Sequence, residues 1–287
     1  MKLNKSKILR ILELKNKGTS SYQARKEGGV SQRRVDQIWR EYQLTGEIPT
    51  VGANMGRPRK PYTEAEVGVI RKTYLTYRVS ASALEPLIER DYCFHIPHNK
   101  IHKVLLVEGL ADKGDKQVVR KKDWIRYERR HSLTAVHIDW HQRPNDGIWV
   151  IKVEDDASRA LLAMRECSSP TIKASIDAME EALTYGQIRE CISDHGTQFT
   201  SNVGGSNQFK EWLDKHKIKQ ILCRIKHPQT NGKLEKLFHT YETHRDAFPT
   251  AETYKHWYNH IRPHRGSLNF SKLETPWQAF KRKMRPS

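Results

Sequence analysis

The sequence predicts a multidomain protein in which an all-α N-terminal region, built from tandem helix-turn-helix units, precedes an α/β core. Three observations predict it. Residues 1–112 place apolar side chains at helical spacing, with breaks at glycine and proline. From residue 131, short apolar runs alternate with amphipathic stretches, as in a five-stranded mixed sheet with helices on both faces. Charge is also uneven, because residues 1–130 carry 28 Lys and Arg against 15 Asp and Glu, whereas the rest carries 23 against 18.

The basic front half suggests binding to a polyanion, and the nearly balanced rear half suggests chemistry. Excess positive charge that serves only solubility is the alternative, although added acidic residues achieve solubility better.

Residues 1–50 are predicted to form the first helix-turn-helix domain, with three short helices separated at Gly18 and at Gly28-Gly29. Ser31 caps the third helix, whose apolar positions follow the i, i+3, i+4, i+7 pattern. The opposite face of that helix is polar and basic, so we expect it to enter a DNA major groove. Its candidate DNA-binding residues are Gln32, Arg33, Gln37 and Arg40. A three-helix bundle with a solvated face is the alternative.

Residues 51–62 are predicted to be a basic Gly-Arg-Pro linker. Its prolines favour an extended backbone, and Arg57 and Arg59 fit a narrow, electronegative minor groove. The segment from Gly56 to Pro61 resembles the core of an AT-hook. A plain proline linker is equally consistent with this composition.

Residues 63–112 are predicted to form a second helix-turn-helix domain. Thr63 and Glu66 have the spacing of a capping box, residues 80–90 form the second helix, and the third begins at Pro97 or His98. The candidate DNA-binding residues of the third helix are Asn99, Lys100 and Lys103. Residues 113–130 form a basic connector that either follows the DNA backbone or is a solvated linker helix.

The cysteines point to a reducing compartment. They are scattered and include no Cys-x-x-Cys pair: Cys93, Cys167, Cys191 and Cys223. For the same reason we expect no zinc site at His95 and His98. No apolar run approaches the roughly 18 residues needed to span a bilayer, and together with the cysteines this favours a cytoplasmic protein.

The core, residues 131–248, is predicted to begin with three antiparallel strands and to continue with strands that alternate with helices. This order is ribonuclease-H-like, and Asn145-Asp146-Gly147 is a strong turn signal between the first two strands. The predicted strands are 132–139, 148–154, 158–165, 188–193 and 218–223, and the predicted helices are 171–185, 205–216 and 230–246. Helices 250–260 and 274–283 follow in a C-terminal helical extension, residues 249–287.

Three acids are the candidate catalytic residues of this core. Asp139 and Asp194 each end an apolar run that predicts a buried strand, and Glu235 lies about one turn into a predicted helix. Neighbouring carboxylates repel one another, and Mg²⁺ or Mn²⁺ relieves the repulsion through hard oxygen ligands. Two such ions can clamp the attacking and leaving oxygens of a phosphodiester, so we expect two. Lys233 and Lys236 flank Glu235 and are candidate phosphate contacts.

The motifs around these acids resemble the DDE integrase/transposase catalytic core, shared by retroviral integrases and insertion-sequence transposases. The resemblance covers residues 131–283. It rests on Ser193-Asp194-His195-Gly196-Thr197-Gln198-Phe199, on Pro228-Gln229-Thr230-Asn231-Gly232-Lys233-Leu234-Glu235, on Trp257-Tyr258-Asn259 and on Glu274-Thr275-Pro276-Trp277. It implies that Asp139, Asp194 and Glu235 are both catalytic and metal-binding. The interval from Asp194 to Glu235 is a few residues longer than usual, and Lys236 stands where Arg is common.

The resemblance implies a transposase that binds the terminal repeats of its element, cleaves and joins double-stranded DNA, and works as a dimer or higher homo-oligomer. It also implies a prokaryotic protein that is associated with the nucleoid when bound to DNA. A DNA-binding regulator with an inactive core and a ribonuclease-H-like nuclease without strand transfer are the alternatives. Asp155 and Asp156 are rival acids, for which we favour a turn role. Trp257, Tyr258 and Trp277 are expected in the core, and Arg262, His264 and Arg265 form a candidate phosphate clamp.

Overall fold

The computed structural model describes residues 3–50, 61–112, 129–201, 207–223, 228–264 and 273–285. Within the fifth range, only the backbone is described for residues 228–234. The chain forms two compact units, Met1–Tyr62 and Thr63–Ser287. Arg57, Arg59, Arg265 and most of the predicted connector lie outside the described residues. No helix in the described ranges is long and apolar enough to cross a membrane.

The first unit is a three-helix bundle: α1 (Lys5–Asn16), α2 (Ser21–Gly28) and α3 (Gln32–Thr45). As predicted, Ser31 caps α3, since its hydroxyl accepts a hydrogen bond from the Arg34 N–H. The two glycines at the C-terminal end of α2 serve different purposes. A Cβ on Gly28 would lie 2.7 Å from Cδ1 of Ile11, and Gly29 has a left-handed φ of 63°. Helix packing and chain reversal therefore both depend on this pair.

The second unit begins with three helices, α4 (Glu64–Tyr77), α5 (Ala81–Tyr92) and α6 (His98–Val107). The capping box of Thr63 and Glu66 is formed as predicted. The core of these helices also includes Leu273, from the C-terminal part of the chain. The Trp257 indole N–H donates to the Thr76 carbonyl (2.8 Å). The second helical module therefore shares packing with the C-terminal extension.

A five-stranded mixed sheet follows, in the order β3-β2-β1-β4-β5. Strands β1, β2 and β3 are antiparallel neighbours, whereas β4 is parallel to β1 and β5 is parallel to β4. The bounds are β1 (Ala135–Gln142), β2 (Trp149–Asp155), β3 (Leu161–Cys167), β4 (Glu190–Ser193) and β5 (Lys219–Leu222). The helices are α7 (Ile172–Leu183), α8 (Gln208–Lys215), α9 (Pro228–His244), α10 (Ala251–His256) and α11 (Pro276–Lys283), with a π-helical turn at Trp257–Ile261. This confirms the predicted ribonuclease-H-like fold.

The two faces of the sheet are covered by different helices. One face, with Ile138 and Ile151, packs on the apolar sides of α7, α8 and α11. The other face, with Val150 and Met164, packs on an aromatic cluster from α9 and the segment after it. The members of this aromatic cluster are Phe238, Tyr241, Phe248, Tyr254 and Trp257. Successive strand residues alternate between faces, so Asp139 and His141 lie on the side of the aromatic cluster.

The prediction that Asp139 ends its strand is wrong, because β1 continues to Gln142. The parallel pairing of β1 with β4 ends before Asp139, at the pair of His137 with Ile192. Pairing with β2 continues on the other side as far as Gln142 and Trp149. Asp139 therefore lies just beyond the parallel ladder, with an open edge towards β4 and a paired edge towards β2.

The chain after α10 is fixed to the sheet by Asn259. Its side-chain oxygen accepts from the Leu161 N–H (2.8 Å), and its amide group donates to the Leu161 carbonyl (2.9 Å). Trp257 and Tyr258 are buried beside it, as predicted for core aromatics.

Candidate active site

Asp139 and Asp194 are brought together by the parallel pairing of β1 with β4. The register pairs Ala135 with Glu190 and His137 with Ile192. The same register, continued by two residues, places Asp139 beside Asp194. Both side chains are half-buried. Two of the three predicted acids thus share one end of the sheet.

Burial and the charge of Asp194 raise the pKa of the Asp139 carboxyl to about 7, although the Trp140 N–H donates to its Oδ1 (2.8 Å) and opposes the shift. The two carboxylates therefore cannot both be charged near neutral pH without strong repulsion. A divalent cation between them would remove this cost. The donor atoms are carboxylate oxygens, so the pair fits Mg²⁺ or Mn²⁺.

The loop after β4 holds Asp194 by backbone contacts. The Gly196 N–H donates to Asp194 Oδ1 (2.9 Å), and a Cβ on Gly196 would lie 3.0 Å from that oxygen. His195 is exposed and its Nε2 donates to the Cys223 carbonyl (2.9 Å), so it ties this loop to the end of β5. Phe199 is buried against Phe209. A side chain at position 196 would therefore press on the Asp194 carboxylate, and glycine leaves that carboxylate undisturbed.

Cys223 borders the acid pair, a position that the sequence-based reasoning missed. Burial, and then the charges of Asp139 and Asp194, raise the pKa of its thiol. Ser193 pairs with Leu222, so the next residues, Asp194 and Cys223, follow the same register. Only the pairing of β4 with β5 could have revealed this, since nothing in the spacing of the cysteines suggests it.

Glu235 is placed on α9, and its side chain is exposed. Among the described residues, no three Asp, Glu, His or Cys side chains are close enough together to hold a metal ion. The structure therefore brings Asp139 and Asp194 together but does not bring Glu235 to them. Helix α9 is nevertheless attached beside the pair, because His141 stacks on Phe238 (4.7 Å between centroids) and bonds to Glu242 through Nε2 (2.9 Å).

The rival acids Asp155 and Asp156 are fully buried and have structural partners. Asp155 accepts from the backbone N–H groups of Leu133 and Ser158 and from the Ser158 hydroxyl, each within 2.8 Å. Asp156 accepts from the Arg129 N–H (2.6 Å) and pairs with His137 Nε2 (2.7 Å). These contacts agree with the predicted turn role.

The predicted DNA-binding residues differ in side-chain exposure and in whether they already form an ion pair. On α3, four of them are exposed: Gln32, Arg33, Gln37 and Arg40. Asn99 and Lys103 on α6 and Lys236 on α9 are also exposed. Lys100 is instead half-buried in an ion pair with Glu66 (2.5 Å), which ties α6 to α4. Lys233 belongs to the part of α9 whose side chains are not described.

The predicted phosphate clamp is not supported at His264. Burial, followed by the charge of Arg262, lowers the pKa of His264 to about 3, so this imidazole is neutral at physiological pH. The Arg262 guanidinium lies over the rings of Trp257 and Tyr258, 5.9 Å from each centroid. Arg262 therefore has a packing role against the core aromatics.

Comparisons with known proteins give one family match. Residues 129–228 match the family model of the integrase core domain, a range that contains Asp139 and Asp194 and ends before Glu235. No curated protein matches the sequence. Among solved structures, the chain is similar to a chain of the cryoEM structure of the simian T-cell lymphotropic virus intasome in complex with PP2A regulatory subunit B56 gamma. The identity is 14% and the TM-score 0.46, over 76% of this chain and 74% of that chain.

Proposed function

We propose, from the match of residues 129–228 to the integrase core domain model, that the protein is a DDE-type transposase of an insertion sequence. It would bind the terminal repeats of its element and carry out metal-dependent cleavage and strand transfer of double-stranded DNA. The observation that carries the proposal is the pair of half-buried carboxylates, Asp139 and Asp194, at the end of the parallel ladder. Burial and mutual repulsion raise one of their pKa values to about 7.

Perturbed carboxylates of this kind are typical of functional sites. Asp139 and Asp194 would share a divalent ion, and Glu235 on α9 would complete the ligand set for two. When bound, such ions activate water or a 3′-hydroxyl and stabilise the leaving oxygen of the phosphodiester. The protein groups orient this site: the N–H groups of Trp140 and Gly196 each hold one carboxylate oxygen.

Recognition is assigned to the N-terminal helices. The net charge of the chain is +18, and most of the excess lies in residues 1–130. The exposed polar face of α3 has the residue types that read base edges in a major groove. Since two element ends must be joined to one target, we propose a dimer or higher oligomer on DNA.

Strand transfer by the full-length protein tests this function. Duplexes with the repeats that flank the gene are mixed with a plasmid target, and joined products are resolved on a gel. Joining is expected with Mg²⁺ or Mn²⁺, none in EDTA and none with Zn²⁺ alone, because the acid pair offers oxygen ligands. Metal-dependent hydrolysis without joining would instead identify a nuclease. Specific binding without any cleavage would identify a regulator with an inactive core.

Arg33→Ala should relax sequence preference. Loss of a base-edge contact is expected to cost about 1–3 kcal/mol on the repeat duplex and much less on a shuffled duplex. Arg10→Ala is the matched control, because Arg10 is also exposed but is occupied by Glu13 and Glu27. Fluorescence anisotropy at two salt concentrations separates base reading from phosphate contact, which weakens with salt. Equal losses on both duplexes would refute the role of α3 in base reading.

A further inference from the structure

Lys152 is a buried lysine whose position the proposed chemistry does not explain. It lies on β2 directly opposite Asp139 in the antiparallel register, so both side chains are on the face covered by the aromatic cluster. Its side chain is fully buried, and its Nζ has no hydrogen-bond partner among the residues that the structure describes. Lysine is rarely buried in this way without a partner.

Aromatic rings surround this ammonium group. Nζ lies 3.9 Å from the ring centroid of Tyr241, 4.7 Å from that of Phe238 and 5.8 Å from that of Tyr254. These distances are within the range of cation–π attraction, which is stronger in a desolvated site. Burial lowers the pKa of Lys152 well below its usual range, and Glu154, Glu242 and Glu166 oppose that shift. The acids only partly oppose the effect of burial, and Nζ has no direct ion pair among the described residues, so the ring faces are the remaining groups that stabilise the charged form of Lys152.

The two nearest rings belong to the helix that carries Glu235. Phe238 is three residues after Glu235, so it lies on the same side of α9, about 4.5 Å further along the axis. Phe238 is also stacked on His141, two residues after Asp139 in β1. Lys152 and His141 thus both fix Phe238, one from β2 and one from β1. Phe238 is therefore the anchored point of α9 nearest to Glu235 along this face.

We propose that Lys152 is a positioning residue for Glu235: its ammonium group, held by the rings of Phe238 and Tyr241, sets where the first turns of α9 lie relative to Asp139. The inference rests on the proposed function, in which Glu235 joins Asp139 and Asp194. Cation–π attraction depends on where the charge lies over the ring, so it fixes α9 more narrowly than apolar packing would. An error of about 1 Å in such a placement can cost two orders of magnitude in rate.

Lys152→Met separates positioning from stability. Methionine fills a similar volume, and replacing a buried charge by an apolar side chain is often neutral or stabilising. We therefore expect an unchanged or higher Tm, unchanged DNA-end binding and strand transfer reduced at least about tenfold. Hydrogen exchange of the amides of residues 228–236 should become faster, while exchange in β1 and β2 stays as in the wild type.

Lys255→Met is the matched control. Lys255 is also buried, but it has a direct partner in Glu181 (2.6 Å). Its replacement should lower the Tm and leave exchange in the first turns of α9 unchanged. Activity per folded molecule should also stay close to that of the wild type.

Phe238→Leu provides a second variant, since it removes the ring between Lys152 and His141 and keeps an apolar side chain. It should reproduce the loss of strand transfer and the faster exchange. The proposal would be overturned if both Lys152→Met and Phe238→Leu kept the wild-type rate of hydrogen exchange in residues 228–236 and strand-transfer activity within twofold of the wild type. Failure of the proposed function itself is distinguishable, because the wild-type protein would then show no metal-dependent strand transfer.

Discussion

Asp139→Asn and Asp194→Asn are each expected to reduce metal-dependent cleavage and joining by about 10³-fold or more, with DNA-end binding retained. Asparagine has nearly the same shape, and its side-chain oxygen can still accept from the N–H of Trp140 or Gly196. What is lost is one negative ligand of the shared cation. A loss of about 4 kcal/mol of transition-state stabilisation corresponds to this factor. The measurement is strand transfer at saturating Mg²⁺, alongside anisotropy binding to the repeat duplex.

Asp156→Asn is the matched control for this experiment, because Asp156 is a buried acid directly after β2 and has structural partners. This substitution should lower stability through loss of the contacts of Asp156 with Arg129 and His137, yet retain activity per folded molecule.

Glu235→Ala should abolish joining, as substitution of either of the other two acids does. If Glu235→Ala kept near-normal activity, Glu235 would not be the third acid. Asp155 could not replace it, since backbone and hydroxyl donors occupy its buried carboxylate.

Local features of the fold were predictable from the sequence because short-range chemistry determines them. The capping box of Thr63 and Glu66 starts α4 where it was predicted, and the turn at Asn145–Gly147 joins β1 to β2. All five strands and the helices of the core appear in the predicted order, and most bounds shift by only a few residues. Apolar periodicity, caps and turn residues act within one or two turns of chain, so sequence alone contains them.

Features that depend on strand register were not predictable. The adjacency of Asp139 and Asp194 follows from the parallel pairing of β1 with β4. The positions of Lys152 and Cys223 near this pair follow from two further pairings. A register shift of one residue would send each of these side chains to the other face. Amino-acid composition does not show which register the strands adopt.

Packing between the predicted domains was also not predictable from the sequence. The predicted domain boundaries treat the second helical module, residues 63–112, as separate from the core and from its C-terminal extension. In the structure, that module has Leu273 in its apolar core, and Arg78 lies over the Phe248 ring, 5.7 Å from the centroid. Excision at residue 112 would expose these contacts. DNA-binding tests are therefore best made with the full chain.

Raising the pH from 6 to 8 is expected to strengthen Mg²⁺ binding and to weaken the metal-free fold. A proton on Asp139 competes with the cation, so affinity should fall by up to about tenfold per pH unit below the pKa of about 7. The change of folding stability with pH has the opposite sign to that expected for an acid in a salt bridge. The folded pKa is about 7 and the ordinary value is 3.8, so the folded state holds a proton that the unfolded state has lost. Stability without metal therefore falls as the pH rises from about 4 to about 7.

Asp139→Asn removes the titrating group and should make the metal-free protein more stable than the wild type at pH 8, by about 1–3 kcal/mol. Mg²⁺ should reverse the order, because it binds the folded wild type and relieves the repulsion between Asp139 and Asp194. Thermal unfolding at pH 6 and pH 8, in EDTA and in Mg²⁺, measures both effects. Asp246→Asn is the control for a surface acid, since its carboxylate is exposed and bonds to Arg143. A wild-type Tm that Mg²⁺ leaves unchanged at pH 8 would show that the acid pair does not bind the ion.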